Sequence, residues 1–128
     1  MRKIIIVLGA LLSGSVFAHE YPPEIRKCFI ADGANQVQKC TLNSGGGAGG
    51  TYVHLTMGKR TFLMEESNMC EELGECWKVM GKDADSLEDS VGYFRDKNTK
   101  KVISKYKDGA WVCEKQVKGK MNVCYSLK

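Results

Sequence analysis

Residues 110–127 read AWVCEKQVKGKMNVCYSL, two strand-like runs that are joined at Lys118-Gly119. A two-residue connection that contains glycine is typical of a tight β-hairpin. If the hairpin closes there, Cys113 lies directly opposite Cys124. Opposed residues of an antiparallel pair have Cα atoms about 5.5 Å apart, a separation that suits a disulfide. This stretch therefore predicts a hairpin that Cys113 and Cys124 crosslink.

A second pair of cysteines fits the same geometry near the N-terminus. Residues 26–30 and 36–42 are strand-like, and they flank the turn sequence DGAN at residues 32–35. A three-residue loop within this turn puts Cys28 directly opposite Cys40. The spacing therefore predicts a Cys28–Cys40 disulfide.

The remaining cysteines, Cys70 and Cys76, pair by elimination, but they lie in a region with a helix signal. Asn68 as N-cap and Glu71 three residues later predict a helix start, and apolar residues follow at a helical period. Six residues along a continuous helix separate two Cα atoms by about 9 Å, more than the roughly 7 Å that a disulfide allows. Either the helix breaks near Gly74 or these cysteines pair elsewhere. A short broken helix or a loop clip is the favoured interpretation.

Much of the remaining chain predicts antiparallel β-structure. A hairpin is expected over residues 51–66, closed by a turn at Gly58-Lys59 that places Val53 opposite Met64. The Asp108-Gly109 turn joins residues 102–106 to residues 110–117, and with the hairpin that follows they form a C-terminal three-strand meander.

A helix is predicted between these β-regions. It begins at Asp85 or Ser86 and runs to about Asp96. Three apolar residues share one side of it: Leu87, Val91 and Phe94. The glycine-rich residues 44–50 predict a flexible surface loop. The expected fold class is α+β, or mainly β, with antiparallel hairpins, the C-terminal meander, one or two short helices and stabilising disulfides.

The first 18 residues are organised as a signal peptide, with Arg2 and Lys3 before an apolar run and small residues before Ala18. This apolar run is shorter than the roughly 20 residues needed to span a bilayer, and no later stretch is comparably apolar. No membrane span is therefore expected in the chain that remains after the signal peptide is removed. Cleavage after Ala18 leaves a single domain, residues 19–128, which is periplasmic or secreted. All six cysteines lie in it, as is typical of a disulfide framework in an exported protein.

Catalytic and cofactor sites have little support in the sequence, and we expect neither an enzyme nor a cofactor. The chain has two histidines, its cysteines are expected to be oxidised, and it lacks a G-x-S-x-G motif. One alternative is a copper site formed by His19 at the mature N-terminus and by His54. Nucleic-acid binding is disfavoured, because cleavage removes two bases and lowers the formal net charge from +4 to nearly neutral.

Charge is segregated along the chain. Residues 65–89 hold nine acids and two bases, whereas residues 95–128 hold ten bases and three acids. On different faces these segments make the domain dipolar, so that it can orient a charged partner, and side by side they compensate each other. Four residues are expected to contact a partner: Tyr52, Tyr93, Arg95 and Lys97.

Three functions from different classes are compatible with these features. The first is an exported protein-binding module, such as an inhibitor or immunity-type protein that acts on a hydrolase or toxin. The alternatives are a secreted effector or toxin, and a small copper-binding protein that uses His19. The first is preferred, because a rigid disulfide scaffold lowers the entropic cost of binding and needs no catalytic residue. Its partner is then another envelope or secreted protein.

Overall fold

A computed structural model describes residues 18–47, 49–67 and 77–128, and within these ranges the chain forms β-strands and no helix. The strands are β1 (Ala18–Glu20), β2 (Glu24–Ile30), β3 (Gln38–Gly47), β4 (Gly50–Met57), β5 (Arg60–Ser67), β6 (Lys78–Gly81), β7 (Glu88–Arg95), β8 (Val102–Ile103), β9 (Trp111–Gln116) and β10 (Asn122–Tyr125).

Eight of these strands close into an antiparallel barrel. Around the barrel the order is β2, β3, β4, β5, β6, β7, β9 and β10, and the pairing of β10 with β2 completes the ring. Each barrel strand therefore has a partner at both edges, and closure removes the open edges that a flat sheet presents to other chains. An eight-stranded barrel has an interior that side chains alone, or side chains and one small ligand, can fill.

The two remaining strands extend this barrel at its rims. β1 pairs with β3 beside β2, and Pro22 and Pro23 separate β1 from β2. Prolines suit this position because they cannot donate a hydrogen bond to the ladder. β8 pairs with β7 at Phe94 and Arg95.

The expected α+β fold class is wrong, because the predicted helix over residues 85–96 is replaced by β7. Ser90 and Gly92 face the barrel interior, Val91 and Tyr93 face outward, and the strand pairs with both β6 and β9. Backbone pairing at two edges outweighs the helical spacing of the apolar residues, since local propensity is a weak term beside tertiary pairing. Gly92 further disfavours a helix by roughly 1 kcal/mol relative to alanine.

Two other predictions concern the region before β7. The helix start at Asn68 and the Cys70–Cys76 pair lie outside the described residues. Residues 78–81, which follow the predicted cysteine pair, form β6, which pairs with β5 and β7 and buries Val79 and Met80.

The predicted glycine-rich loop is also wrong in large part, since residues 44–47 belong to β3 and Gly50 begins β4. A Cβ atom on Gly50 would lie 2.3 Å from the carbonyl oxygen of Glu66. Glycine is therefore needed here for the close approach of β5, and its presence does not indicate a flexible loop.

The C-terminal meander consists of β7, β9 and β10, because Val102–Ile103 pairs with β7 and not with β9. The predicted turn before β9 does form. Gly109 has a φ of +84°, and the Ala110 N–H donates to the Lys107 carbonyl oxygen over 2.8 Å. This turn ends a long connection and does not close a hairpin.

The disulfide between Cys113 and Cys124 forms at the predicted register. The two residues are directly opposed on β9 and β10, and their Cα atoms are 4.0 Å apart. The hairpin register that follows from the Lys118-Gly119 turn is therefore correct.

The disulfide between Cys28 and Cys40 also forms, with Cα atoms 5.9 Å apart, but the predicted register of its hairpin is wrong. Cys40 lies opposite Arg26, so the two cysteines are diagonal neighbours on one face of the sheet. The loop includes two residues with positive φ, Gly33 and Asn35, and it is longer than the three residues assumed. Both disulfides fit an oxidising compartment.

The barrel has apolar cores on its inner and outer faces. The inner core surrounds the Cys28–Cys40 disulfide and includes Leu42, Leu55, Met57, Phe62, Met64, Met80 and Val123. The outer core consists of Phe29, Trp111, Cys113 and Cys124, and the ring centroids of its two aromatic residues are 4.8 Å apart. The outer core allows the chain to fold a further layer over this side of the barrel.

Candidate functional site

Residues 96–110 connect β7 to β9 and lie over the outer core; we call this segment the excursion. The indole N–H of Trp111 donates to the carbonyl oxygen of Lys97 over 3.3 Å. Arg95 Nη1 donates to the carbonyl oxygen of Lys100 over 3.0 Å, and Tyr106 packs edge-on against Phe94. The excursion is therefore held in place, although β8 is its one regular element.

Asp96 orders the first turn of the excursion. Its carboxylate accepts hydrogen bonds from the backbone N–H groups of Thr99 over 2.8 Å and Asn98 over 2.9 Å. These bonds, with that of Thr99 as the largest cause, hold the pKa of Asp96 below its usual value. The ionised carboxylate thereby fixes the backbone on which Lys97 and Lys100 are carried.

A cleft of about 500 Å³ lies between the excursion, β2 and the chain after β10; we call it the outer cleft. Its lining residues are Lys27, Lys97, Asn98, Tyr106, Asp108, Gly109, Ala110, Trp111, Ser126, Leu127 and Lys128. Trp111 is buried, whereas Tyr106 and Leu127 are exposed. The outer cleft thus combines apolar and aromatic surface with the ammonium groups of three lysines.

The surroundings of the outer cleft are strongly basic. Lys27 on β2 lies directly opposite Lys39 on β3, and both are exposed. The cleft and its neighbourhood hold eight lysines against Asp96 and Asp108 of the excursion: Lys27, Lys39, Lys97, Lys100, Lys101, Lys105, Lys107 and Lys128. Clustered charge of one sign attracts and orients a partner of the opposite sign.

The structure separates the four residues that the sequence predicts as partner contacts. Lys97 lines the outer cleft. The Tyr93 hydroxyl donates to Asn122 Oδ1 over 2.5 Å and accepts from Arg95 Nε over 3.1 Å. Tyr93 and Arg95 therefore lie between the barrel wall and the excursion and hold the excursion in place. Tyr52 lies on β4 and borders the interior of the barrel.

Sequence reasoning missed Lys27, Trp111 and Leu127, all of which line the outer cleft. The predicted register of the first hairpin put Lys27 opposite Thr41, so the pairing of two lysines was hidden. In the correct register the lysine pair is a signal that the sequence alone could have given.

A group of exposed acids and the lysine-bearing strand β2 lie on different sides of the barrel. β6 is four places from β2 in the ring of eight strands, so the two strands lie on opposite sides. Exposed acids follow β6 and begin β7: Asp83, Asp85, Glu88 and Asp89. These four acids therefore lie across the barrel from Lys27, whereas the basic turn after β9 lies beside them, since the Val117 N–H donates to the Asp89 carbonyl oxygen.

A second cavity, of about 230 Å³, lies within the barrel; we call it the inner cavity. Its walls include Val53, Met64, Phe94, Val112 and Tyr125, with the charged residues Glu65, Glu66, Lys78 and Glu114. β7 contributes Gly92 to the lining. A Cβ atom there would lie 2.7 Å from Lys78 Nζ, so the absence of a side chain makes room for the ammonium group.

Two carboxylates and one ammonium group meet in the inner cavity. Lys78 Nζ lies 3.2 Å from Glu66 Oε1, and the Ser90 hydroxyl donates to Glu114 Oε2 over 2.7 Å. Burial raises the pKa of Glu114 above its usual value, and the charge of Glu66 adds to this, whereas Ser90 and Lys78 oppose it. Burial is also the first cause, and the charge of Glu114 the second, of the raised pKa of Tyr125.

Among the described residues, no three side chains of histidine, cysteine, aspartate or glutamate are placed to hold a metal ion. His19 lies opposite Gly46 on one edge of β3, and His54 lies opposite Asn43 on the other edge. The copper site that combines these two histidines stays a prediction.

Comparisons with protein-family models, with curated proteins and with solved structures found no match. In the part of the chain that the structure describes, no helix is long and apolar enough to cross a membrane. The outer cleft and the inner cavity are therefore the features from which a function can be inferred.

Proposed function

We propose that this protein is an exported binding module, periplasmic or secreted, that captures an acidic segment of a partner protein in the outer cleft. An inhibitor or immunity-type role against a hydrolase or toxin of the envelope is the form of this function that we favour. Such a role needs a rigid surface of defined charge, and the crosslinked barrel and the excursion supply one.

The observation that carries the proposal is the pair of opposed lysines beside the outer cleft. Like charges that face each other across neighbouring strands destabilise a sheet, so Lys27 and Lys39 contribute nothing favourable to folding by this contact. A carboxylate of a partner placed near both ammonium groups would remove the repulsion and gain two attractive interactions.

The apolar surface of the outer cleft supports the same conclusion. Protein interfaces gain most of their affinity from buried aromatic and apolar anchors, with charged residues at the rim that set orientation and rate. Tyr106 and Leu127 are exposed beside the buried Trp111. The favoured occupant is thus a protein segment with an apolar side chain between carboxylates.

The closed barrel restricts how a partner can bind. Addition of a strand to an open sheet edge is one common mode of recognition. The barrel strands are paired at both edges, so binding here has to use side chains and the excursion.

The proposal is tested by passing envelope extract and culture medium over the immobilised, oxidised protein and over a Lys27→Glu/Lys97→Glu variant. We expect one stoichiometric protein that binds the unmodified protein, is released by salt, and binds the variant at least about tenfold more weakly, which corresponds to 1.4 kcal/mol. Crosslinking of the complex should place the partner at the outer cleft.

A Lys118→Glu/Lys120→Glu variant is the matched control, because it changes the net charge equally at two exposed lysines of the β9–β10 turn. It should keep the partner. Equally weakened binding of the partner in both variants would mean that net charge alone causes the effect. If the immobilised protein retains no protein at low salt, the proposed function is contradicted.

A further inference from the structure

The inner cavity is a second site that the binding of a protein at the outer cleft does not use. It lies inside the barrel, on the other face of the strands from the outer core. An engineered cavity of about 150 Å³ in another protein accommodates benzene, so the inner cavity, at about 230 Å³, has room for a somewhat larger molecule.

The charges of the inner cavity are not balanced by the protein. Lys78 is the ammonium group in the lining, and it pairs with Glu66 over 3.2 Å. Glu114 receives one hydrogen bond, from the neutral hydroxyl of Ser90, and its other oxygen has no partner within the described ranges. A monocation beside Glu114 would compensate the charge of this carboxylate, which Lys78 leaves unpaired.

Burial of Glu114 works against folding. Removal of a carboxylate from water costs free energy, and the raised pKa of Glu114 reflects a cost that the charge of Lys78 and the hydrogen bond of Ser90 do not offset. A glutamine of the same shape would avoid it. A glutamate at position 114 therefore makes the fold less stable, as residues that serve binding commonly do.

The remaining walls of the inner cavity suit an organic cation better than a hydrated metal ion. Val53, Met64 and Val112 present apolar surface, and Phe94 and Tyr125 present aromatic rings. Aromatic faces attract organic ammonium groups, and apolar walls bury the carbon skeleton that such groups carry.

We propose that the inner cavity binds a small organic cation, a primary ammonium compound of roughly the size of benzylamine. Its ammonium group donates hydrogen bonds to the carboxylate of Glu114 and reaches the free oxygen of Glu66. Its carbon skeleton lies against Val53, Val112 and the ring of Tyr125. This inference does not depend on the function proposed for the outer cleft.

The direct test is titration of the full oxidised protein with benzylammonium, followed by calorimetry and by the backbone resonances of the lining residues. Benzyl alcohol and benzoate are the matched probes of equal shape and different charge. We expect saturable binding of benzylammonium, with resonance shifts centred on Gly92 and Glu114, and binding at least tenfold weaker for both other probes. Equal binding of benzyl alcohol, or no saturable binding of the cation, would overturn the proposal.

Two variants locate the site independently. Glu114→Gln removes the charge, and Gly92→Ala places a methyl group 2.7 Å from the present position of Lys78 Nζ, so that the ammonium group has to move. Each should weaken benzylammonium binding at least tenfold, whereas Glu88→Gln, at an exposed position at the start of β7, should leave it unchanged. If either variant fails to fold, the other still decides, and undiminished binding to a folded variant would contradict the placement.

The pH dependence supplies a further readout. The titratable groups that face Glu114 are Lys78 on β6, Glu66 on β5 and Tyr125 on β10. Affinity for the cation should fall as the pH is lowered through the raised pKa of Glu114, and Glu114→Gln should flatten that part of the profile. A profile of the same shape in the variant would assign the effect to another group and overturn the role of Glu114.

Discussion

Burial and ionisation oppose each other at single side chains of this barrel, and Glu114 is the clearest case. Its pKa is raised by burial, so the folded protein binds a proton at a higher pH than the unfolded chain does. Stability therefore decreases as the pH rises from the ordinary value of 4.5 through the raised pKa.

We expect Glu114→Gln to be more stable than the unmodified protein at about pH 8 and nearly equal to it at about pH 4, because glutamine carries no charge to desolvate. Urea denaturation at both pH values measures the difference. The exposed Glu88→Gln should show no such trend. A variant that is less stable at high pH would mean that the ionised carboxylate stabilises the fold.

Tyr93 is a residue whose hydroxyl group serves the fold. It bonds both Asn122 and Arg95, and Arg95 in turn holds the excursion at Lys100. We expect Tyr93→Phe to lower the free energy of unfolding by about 1–3 kcal/mol, since it leaves these partners unsatisfied. Thermal or urea denaturation measures it. Tyr106→Phe keeps the ring contact with Phe94 and should change stability by less than about 0.5 kcal/mol. An equal loss in both variants would contradict the role of the Tyr93 hydroxyl.

At the scale of strands, the opposed lysines of β2 and β3 provide a test of the repulsion inferred for them. We expect Lys39→Gln to raise the free energy of unfolding by a few tenths of a kcal/mol at low salt, with the gain lost at high salt. Denaturation at two salt concentrations measures both values. Lys105→Gln, on the excursion, is the control for a general effect of charge. A destabilised Lys39→Gln would show that the lysine has a favourable contact.

The two disulfides make a second comparison between elements. They join residues 12 and 11 positions apart, so the loop that each closes in the unfolded chain is nearly the same. On the chain-entropy model we expect each double alanine variant to lose about 3 kcal/mol, and the two losses to be similar. Urea denaturation of both variants checks this. A much smaller loss for one pair would mean that its contribution depends on packing or strain in the folded protein.

Hairpins with a defined turn were predictable from the sequence, and β7 was not. Gly58 and Lys59 correctly place Val53 opposite Met64, because a two-residue turn leaves no freedom of register. In β7 the interior positions are Ser90, Gly92 and Phe94, which line or neighbour the inner cavity, and only Phe94 of these has an apolar side chain, while Val91 and Tyr93 face outward. A strand that borders a cavity lacks the alternation that marks strands, and its apolar residues then match a helical period by chance. The outer cleft and the inner cavity could not be predicted from the sequence, because their positions depend on the strand register and on the closure of the barrel.

The whole molecule is a crosslinked barrel with a basic side at β2 and an acidic side near β6. The predicted removal of residues 1–18 would take away two bases and no acid, so the expected mature chain has a small net charge. Average charge therefore says little about how this protein meets a partner. The field near the outer cleft is set by local lysines, and salt screens it over about 8–10 Å.

Variants with equal net charge but different charge positions distinguish the effect of the lysines near the outer cleft from the effect of the net charge. We expect the unmodified protein to be retained on a cation exchanger more strongly than its net charge implies, since its basic side can face the resin. Lys27→Glu/Lys39→Glu should elute at clearly lower salt than Lys118→Glu/Lys120→Glu, although both variants carry the same formal charge. Co-elution of the two variants would show that the lysines around the outer cleft do not act together, and the attraction of an acidic partner would then lose its physical basis.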